Sequence, residues 1–195
     1  MRKIININRQ WTFTKETTEI PAAIDSTWES VNLPHSWNAV DGQDGGNDYF
    51  RGTSHYAKTF AKSELPEAKQ YYLELRGANS SADVYLNGKH LAHHDGGYST
   101  WRVNMTEALE ENNLLVVAVD NAANETVYPQ MADFTFYGGL YRDVNVICVE
   151  DTHFDLDYFG GCGVMVTPTV EGEKATVALE SWITNGKDGQ IIRYS

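Results

Sequence analysis

Apolar and polar side chains alternate along most of this chain with a period of two, the mark of half-buried β-strands, and a helical period is almost absent. The clearest case is the stretch 75–92, where two alternating runs flank Asn87-Gly88. Such a pair predicts a two-residue hairpin, because both central residues of that turn take positive φ, which Gly adopts freely and Asn tolerates. The turn sets the register, so Val84 is expected opposite Leu91 and Tyr85 opposite His90. Alternation then puts Ala82, Val84, Leu86 and Leu91 on one face, read as core, and Asp83, Tyr85 and His90 on the other.

The same reading extends in both directions. Residues 4–14 alternate through Ile5, Ile7, Trp11 and Phe13 and predict one strand with an irregularity near Asn8-Arg9. Further strands are expected at 55–61, 70–76, 98–103 and 144–149, and at 27–33, where Pro34 stops the run because it has no N–H for a ladder. The run 114–119 is apolar on both faces, as a central strand is. His93-His94-Asp95-Gly96-Gly97 predicts a turn with two flexible glycines, and Asn104 with Glu107 three positions on predicts a capped helical turn over 106–110. The polar stretches 41–48 and 121–135 predict long connections, and loops of that length are usually functional or mobile.

Roughly nine short runs separated by turn chemistry predict an all-β fold, an antiparallel jelly-roll β-sandwich over residues 1–151. Residues 152–195 read as the opening strands of a separate sandwich. A unit of fewer than about 45 residues with no disulfide rarely stands alone, so the chain is expected to be cut from something longer.

Charge narrows the function classes. Lys and Arg total 15 against 27 Asp and Glu, a net charge of −12, so nucleic acid and anionic membrane surfaces are repelled and neither is expected as a partner. No segment approaches the roughly 18 apolar residues of a membrane helix. The N-terminus has neither the apolar run nor the cleavage site of a signal peptide. The chain as given therefore reads as cytoplasmic, or as periplasmic or secreted if an export signal was removed. Cys148 and Cys162 read as free thiols. Five Trp and eleven Tyr suit a sandwich core and suit stacking on sugar rings equally well.

Few side chains stand out as catalytic. Glu107, Glu110 and Glu111 read as solvated charge around a surface turn. His93 and His94 are adjacent, and adjacent strand residues face opposite ways, so at most one of them converges with Asp95; turn solvation outweighs a metal site there. Trp37, Trp101 and Tyr98 are read as core before sugar-stacking, and Arg142 and Asp143 as making a structural ion pair or backbone bonds. Tyr49 and Arg51 follow the 41–48 loop, at the mouth of any assembled site. Asn79, Asn104 and Asn124 begin glycosylation-acceptor patterns, which no secretory context supports.

Five blocks, in order, resemble the N-terminal sugar-binding domain of family 2 glycoside hydrolases. They are Val31-Asn32-Leu33-Pro34-His35-Ser36-Trp37-Asn38; Tyr49-Phe50-Arg51-Gly52; Arg76-Gly77-Ala78-Asn79-Ser80-Ser81-Ala82 running into Val84-Tyr85-Leu86-Asn87-Gly88-Lys89; His94-Asp95-Gly96-Gly97-Tyr98-Ser99; and Asp133 through Val144. The wording Phe136-Tyr137-Gly138-Gly139-Leu140-Tyr141-Arg142-Asp143-Val144 is closest to the β-galactosidase branch, whereas β-glucuronidases tend to differ there. Residues 152–195 resemble the start of the family's immunoglobulin-like second domain, left incomplete.

The resemblance implies a retaining hydrolysis by two glutamates about 5 Å apart at the mouth of a later (β/α)8 barrel. That barrel is missing from this chain, so no catalytic residue is assigned in it. The implied function is that of a non-catalytic N-terminal domain of a β-galactosidase-like enzyme, lending sugar-hydroxyl contacts to the active site. The substrate-binding residues carried over are Asn79 and Asp133, an amide and a carboxylate suited to reading hydroxyl orientation. In some members that Asp also ligates an alkali cation, which makes Asp133 the metal candidate. Na+ or Mg2+ would belong to the full-length enzyme, and no cofactor is assigned to this chain. The implied partners are a β-galactoside-type carbohydrate, the catalytic barrel and other domains of the same enzyme, and further copies in a homo-oligomer. Local turn roles remain open for both residues, an Asx-turn for Asp133 and turn capping for Asn79. Three other readings also stay open: an autonomous carbohydrate-binding module, a structural spacer, and the corresponding domain of a β-glucuronidase- or β-mannosidase-type enzyme.

Overall fold

The computed structural model describes residues 2–15, 17, 19–39, 41, 50–128 and 135–193. The first ten strands are β1 (Lys3–Asn6), β2 (Trp11–Lys15), β3 (Glu29–Val31), β4 (Thr53–Ala61), β5 (Gln70–Leu75), β6 (Ser81–Leu86), β7 (Lys89–Asp95), β8 (Trp101–Asn104), β9 (Asn112–Asp120) and β10 (Val144–Val149). They form two antiparallel sheets, one in the order β1-β10-β5-β8 and one in the order β3-β2-β4-β9-β6-β7. Among the described residues the only helical pieces are short 3-10 turns, so the all-β sandwich class expected from the alternation is the class observed.

One apolar cluster lies between the sheets. Tyr56, Val84, Leu86, Val117 and Val119 reach it from the six-stranded sheet, and Leu73, Leu75, Val144 and Val146 from the four-stranded one. Each is buried, and each such side chain contributes about 1.5–3 kcal/mol relative to its exposed state. The apolar strand read at 114–119 is β9, paired on both sides by β4 and β6.

Residues 4–14 are not one strand. β1 pairs with β10 in one sheet and β2 with β3 and β4 in the other, so the irregularity at Asn8-Arg9 is the point where the chain changes layers. The alternation runs unbroken through the crossing because both strands bury against the same core. Asn8 holds the corner: its Nδ2 donates to Asp143 at 2.7 Å, and its backbone carbonyl accepts from Leu33 N at 2.8 Å.

The 87–88 turn is as expected, with φ of 54° at Asn87 and 78° at Gly88, and Tyr85 faces His90. A register shift then follows, so Val84 pairs with Ala92 rather than with Leu91. The extra residue sits on β7, the outermost strand of its sheet, where a bulge disrupts no second partner. Leu91 still packs against the core. His93, His94 and Asp95 also differ from expectation: they end β7, with His94 facing Ala82 and Asp95 facing Ser81. An edge strand need not bury either face, so its polar composition imitated a turn. The turn itself starts two residues later, at Gly97. The helical turn at 106–110 is a shorter 3-10 turn, Thr106–Ala108, and Asn104 Oδ1 accepts from the Thr106 amide at 3.0 Å while Glu107 stays exposed.

Beyond Glu150 the strands are β11 (His153–Phe154), β12 (Val164–Glu171), β13 (Lys174–Ser181) and β14 (Ile183–Thr184), joined as the pairs β11-β14 and β12-β13. The segment leading to β12 covers the outer face of the four-stranded sheet, where Leu156 is fully buried against Tyr72, Ile147 and Val149. Arg102 fastens it: Nε and Nη2 reach Glu74 Oε2 at 2.8 and 2.7 Å, while Nη1 donates to the carbonyls of Leu156 (3.1 Å) and Gly161 (2.6 Å). Cys148 is buried, Cys162 is exposed, and both are free thiols. No helix among the described residues is long and apolar enough to cross a membrane.

Candidate functional site

Asn79 lies on the crossing from β5 to β6, where the chain leaves one sheet for the other. Its amide donates to Gly139 O at 3.1 Å and its carbonyl accepts from Gly139 N at 3.2 Å, a two-bond bridge between segments far apart in sequence. The following residue is tied to β9, with Ser80 N donating to Asp120 O at 2.8 Å, and the Asn79–Ser80 peptide bond is cis. The side chain is 4% exposed. Its Nδ2 donates to Tyr137 O at 2.8 Å, which fixes which end of the amide points where. Its Oδ1 lies against Gly97, where a Cβ would collide with it, and no described donor reaches that oxygen.

Glycines allow this close approach. Gly139 has φ +120°, and a Cβ there would stand 2.5 Å from the Tyr56 hydroxyl and 2.7 Å from His35 O. The loop at Gly97 is held from the other side, where the Tyr141 hydroxyl donates to Gly97 O at 2.5 Å and Arg142 Nη1 to Tyr98 O at 3.1 Å. Arg142 thus makes the backbone bonds expected of it, and Asp143 accepts from Asn8 rather than pairing with Arg142.

Asp133 and Tyr49 lie outside the described residues. Among the described residues nearest to them in sequence is a buried polar network that the sequence reading missed. Asn38 Nδ2 donates to Asp41 Oδ1 (2.8 Å) and Phe50 O (3.0 Å), and Asn38 Oδ1 accepts from Asn121 Nδ2 (3.0 Å) and Gly138 N (2.8 Å). Asn121 Oδ1 accepts from Gly52 N at 3.0 Å, and its carbonyl accepts from Arg51 Nε at 2.7 Å. Asn38 and Asn121 are 0% and 1% exposed. The network joins the residues on either side of 42–49 to those that follow 129–134. Asn38 closes one of the quoted blocks, but its partner Asn121 is 83 residues away, and local pattern carries no sign of that contact.

The remaining candidates resolve simply. Trp37 and Trp101 are core residues, 5% and 8% exposed, whereas Tyr98 is 48% exposed and is not. Glu107, Glu110 and Glu111 are solvent-facing. His93 places Nδ1 3.0 Å from Asp83 and Nε2 3.1 Å from Asp95, with Asp83 also 2.7 Å from His90. The hydrogen bond that His93 donates to Asp83 leads in raising the pKa of His93, while Asp95 is pulled down to about 2 by Ser81 and then Thr126. Among the described residues, no group of three or more His, Cys, Asp or Glu side chains is placed to hold a metal ion.

Residues 47–142 match the glycosyl hydrolase 2 galactose-binding domain-like family. The chain belongs to glycosyl hydrolase family 2. It matches the N-terminal domain of the family's β-galactosidases and β-glucuronidases. A β-glucuronidase of Bacteroides fragilis is 32% identical over 94% of this chain and 26% of its own length. A β-galactosidase of Thermoanaerobacter pseudethanolicus is 28% identical over 95% of this chain and 26% of its own length. Among solved structures, an FMN-binding β-glucuronidase from Facaelibacterium prausnitzii L2-6 superposes with a TM-score of 0.84 at 43% identity, covering 96% of this chain and 29% of that one. The chain thus spans about a quarter of the length of these curated relatives.

Proposed function

We propose that this family 2 domain is a non-catalytic, sugar-contacting part of a β-galactosidase-like glycosidase whose two reacting carboxyl groups lie on other polypeptide. The observation that supports this best is the Asn79 amide, whose Nδ2 is committed to Tyr137 O, which fixes Oδ1 on the side facing Gly97. On this reading a pyranose hydroxyl donates to Oδ1, and an amide held in one orientation distinguishes an axial from an equatorial hydroxyl because the wrong epimer cannot make that bond. Asp133, five residues before Gly138, is assigned the second contact, with the Asn38–Asn121 network holding the chain that follows it. The same carboxylate is the ligand we assign to an alkali cation in the complete enzyme. A cation there would offset the charge of the carboxylate; the hydroxyl contact of Asn79 does not depend on it.

The galactoside assignment rests on the 136–144 wording. A β-glucuronide is the second reading, favoured by the names of several similar proteins. The deciding experiment measures turnover of chromogenic β-galactoside and β-glucuronide by the complete enzyme and by its Asn79→Ala and Asp133→Ala variants. On the proposed reading, each variant lowers kcat/KM for the preferred glycoside by about tenfold to a hundredfold, the loss of one or two hydrogen bonds. The purified chain of residues 1–195 turns over neither substrate. Unchanged kcat/KM in both variants would make the domain a spacer, and enzyme-like turnover by the chain alone would place the reacting acids within it.

A further inference from the structure

Nearly every large aromatic of the two sheets is inside, as Trp11, Phe13, Tyr56 and Tyr72 show. Among the described residues before 150, the aromatics in the exposed class are Tyr98 at 48%, Tyr128 at 91% and Tyr137 at 42%. Two of these sit on the segments that touch Asn79: Tyr137 provides the carbonyl for its Nδ2, and Tyr98 follows the glycine packed on its Oδ1.

The turn that presents Tyr98 is held on every side. Gly96 N donates to Ser80 O at 2.9 Å, the Tyr141 hydroxyl donates to Gly97 O at 2.5 Å, and Arg142 Nη1 donates to Tyr98 O at 3.1 Å. Arg142 is itself seated over the Tyr141 ring, 5.2 Å from its centre. Two consecutive residues, 141 and 142, therefore fix two consecutive carbonyls, 97 and 98. An exposed ring on a loose loop would lose conformational freedom on meeting a ligand, and this one has its backbone ordered beforehand.

We propose that Tyr98 is a specificity-determining residue of the Asn79 site, an aromatic wall for the C–H face of a pyranose whose hydroxyl meets Asn79 Oδ1. The inference deepens the function proposed above and rests on it. A pyranose has one face rich in C–H groups and an edge of hydroxyls; Asn79 Oδ1 lies against Gly97, and the residue that follows Gly97 is the exposed Tyr98. Tyr141 and Arg142 are positioning residues, acting through the 97–98 backbone.

The test uses the complete enzyme with a chromogenic β-glycoside that it turns over, comparing Tyr98→Leu, Tyr98→Phe and Asn79→Ala. Stacking of this kind changes affinity by about threefold to tenfold. Tyr98→Leu should raise KM by that factor with kcat held within about twofold, Tyr98→Phe should match the parent, and both should melt with it. An unchanged KM in Tyr98→Leu, alongside impaired Asn79→Ala, overturns the role of Tyr98 and leaves the function of the domain standing. If Asn79→Ala is also unimpaired, the underlying reading fails. Equal loss in Tyr98→Leu and Tyr98→Phe overturns stacking in favour of the hydroxyl. A KM change accompanied by a lowered melting temperature in Tyr98→Leu overturns it in favour of packing against the rest of the enzyme.

Discussion

The Tyr56 hydroxyl lies 2.7 Å from His35 Nδ1, at the floor of the loops that carry Asn79. Burial pushes the phenol of Tyr56 far above its ordinary range and the imidazole of His35 below its own, so the pair is a neutral hydrogen bond. His35 N also donates to Leu140 O at 2.8 Å, next to Gly139, which pairs with Asn79. Core and site are thereby connected: a fully buried tyrosine of β4 supports the backbone that holds the amide.

Removing that hydroxyl tests the connection. Tyr56→Phe keeps the ring and leaves His35 Nδ1 without its partner, and is expected to cost about 1–2 kcal/mol in urea unfolding. Gly139→Ala is expected to cost more, because the new Cβ meets the backbone oxygen of His35 and needs a φ near +120° that alanine rarely takes. Equal stability of Gly139→Ala and the parent would mean that the Gly139 segment does not rest on Tyr56 as described.

Acid should weaken the sandwich through its buried imidazoles. Desolvation lowers the pKa of both His35 and His55, and His55 Nδ1 is buried without a partner. A base whose folded pKa lies below its unfolded value of about 6.5 is neutral in the fold, so its contribution is complete above pH 6.5 and falls away as pH drops below it. His93 is shifted the opposite way, but it is half-exposed and its ion pairs contribute little. Stability measured from pH 8 to pH 5 should therefore decline on the acid side, with a shallower decline in His55→Gln. A parallel decline in parent and variant would clear His55 of any part.

Burial would raise the Glu74 carboxyl, but hydrogen bonds from Arg102, Asn145 and Arg76 outweigh it and hold the group below its ordinary value. Glu74 is 3% exposed, so Arg102→Met leaves its Oε2 unpaired, with Arg76 and Asn145 still on Oε1, and releases the carbonyls of Leu156 and Gly161. The expected loss is about 1–3 kcal/mol, with faster amide exchange concentrated in residues 154–163. Adding Glu74→Gln should recover part of the loss, since the unpaired oxygen then belongs to a neutral amide. Exchange that rises uniformly across both sheets instead would show that Arg102 serves the sandwich and not its junction with the following segment.

How much of this was legible beforehand depends on the range of the interaction. Local rules served well: Asn87-Gly88 makes its turn, Ala82, Val84 and Leu86 are buried, and Asp83, Tyr85 and His90 share the outer face. Failures came where partners lie far apart. Alternation in residues 4–14 says that side chains meet a core, but not from which layer. Composition cannot separate a polar edge strand from a turn, as at His93-His94-Asp95. The register slip at Val84 depends on β7 having a neighbour on one side only. Asn79 was picked out because its block resembles a family, whereas its geometry depends on Tyr137, Gly139 and Gly97, which no local pattern places beside it.

The Asn38–Asn121 pair gives the last prediction, because it lets stability and function be read apart. Asn38→Ala removes an acceptor shared by Gly138 N and Asn121 Nδ2, and a donor to Asp41 and Phe50 O, all at a fully buried position. Unpaired buried groups cost about 1–3 kcal/mol each, so the domain should lose at least about 2 kcal/mol of stability. Neither Asn38 nor Asn121 is assigned a sugar contact, but the chain they hold leads back to Asp133. In the complete enzyme, Asn38→Ala should therefore lower kcat/KM well below its melting temperature, and a double-mutant cycle with Asn121→Ala should show coupling of about 0.5–3 kcal/mol. Full activity in a destabilised Asn38→Ala enzyme would show that turnover does not depend on this network.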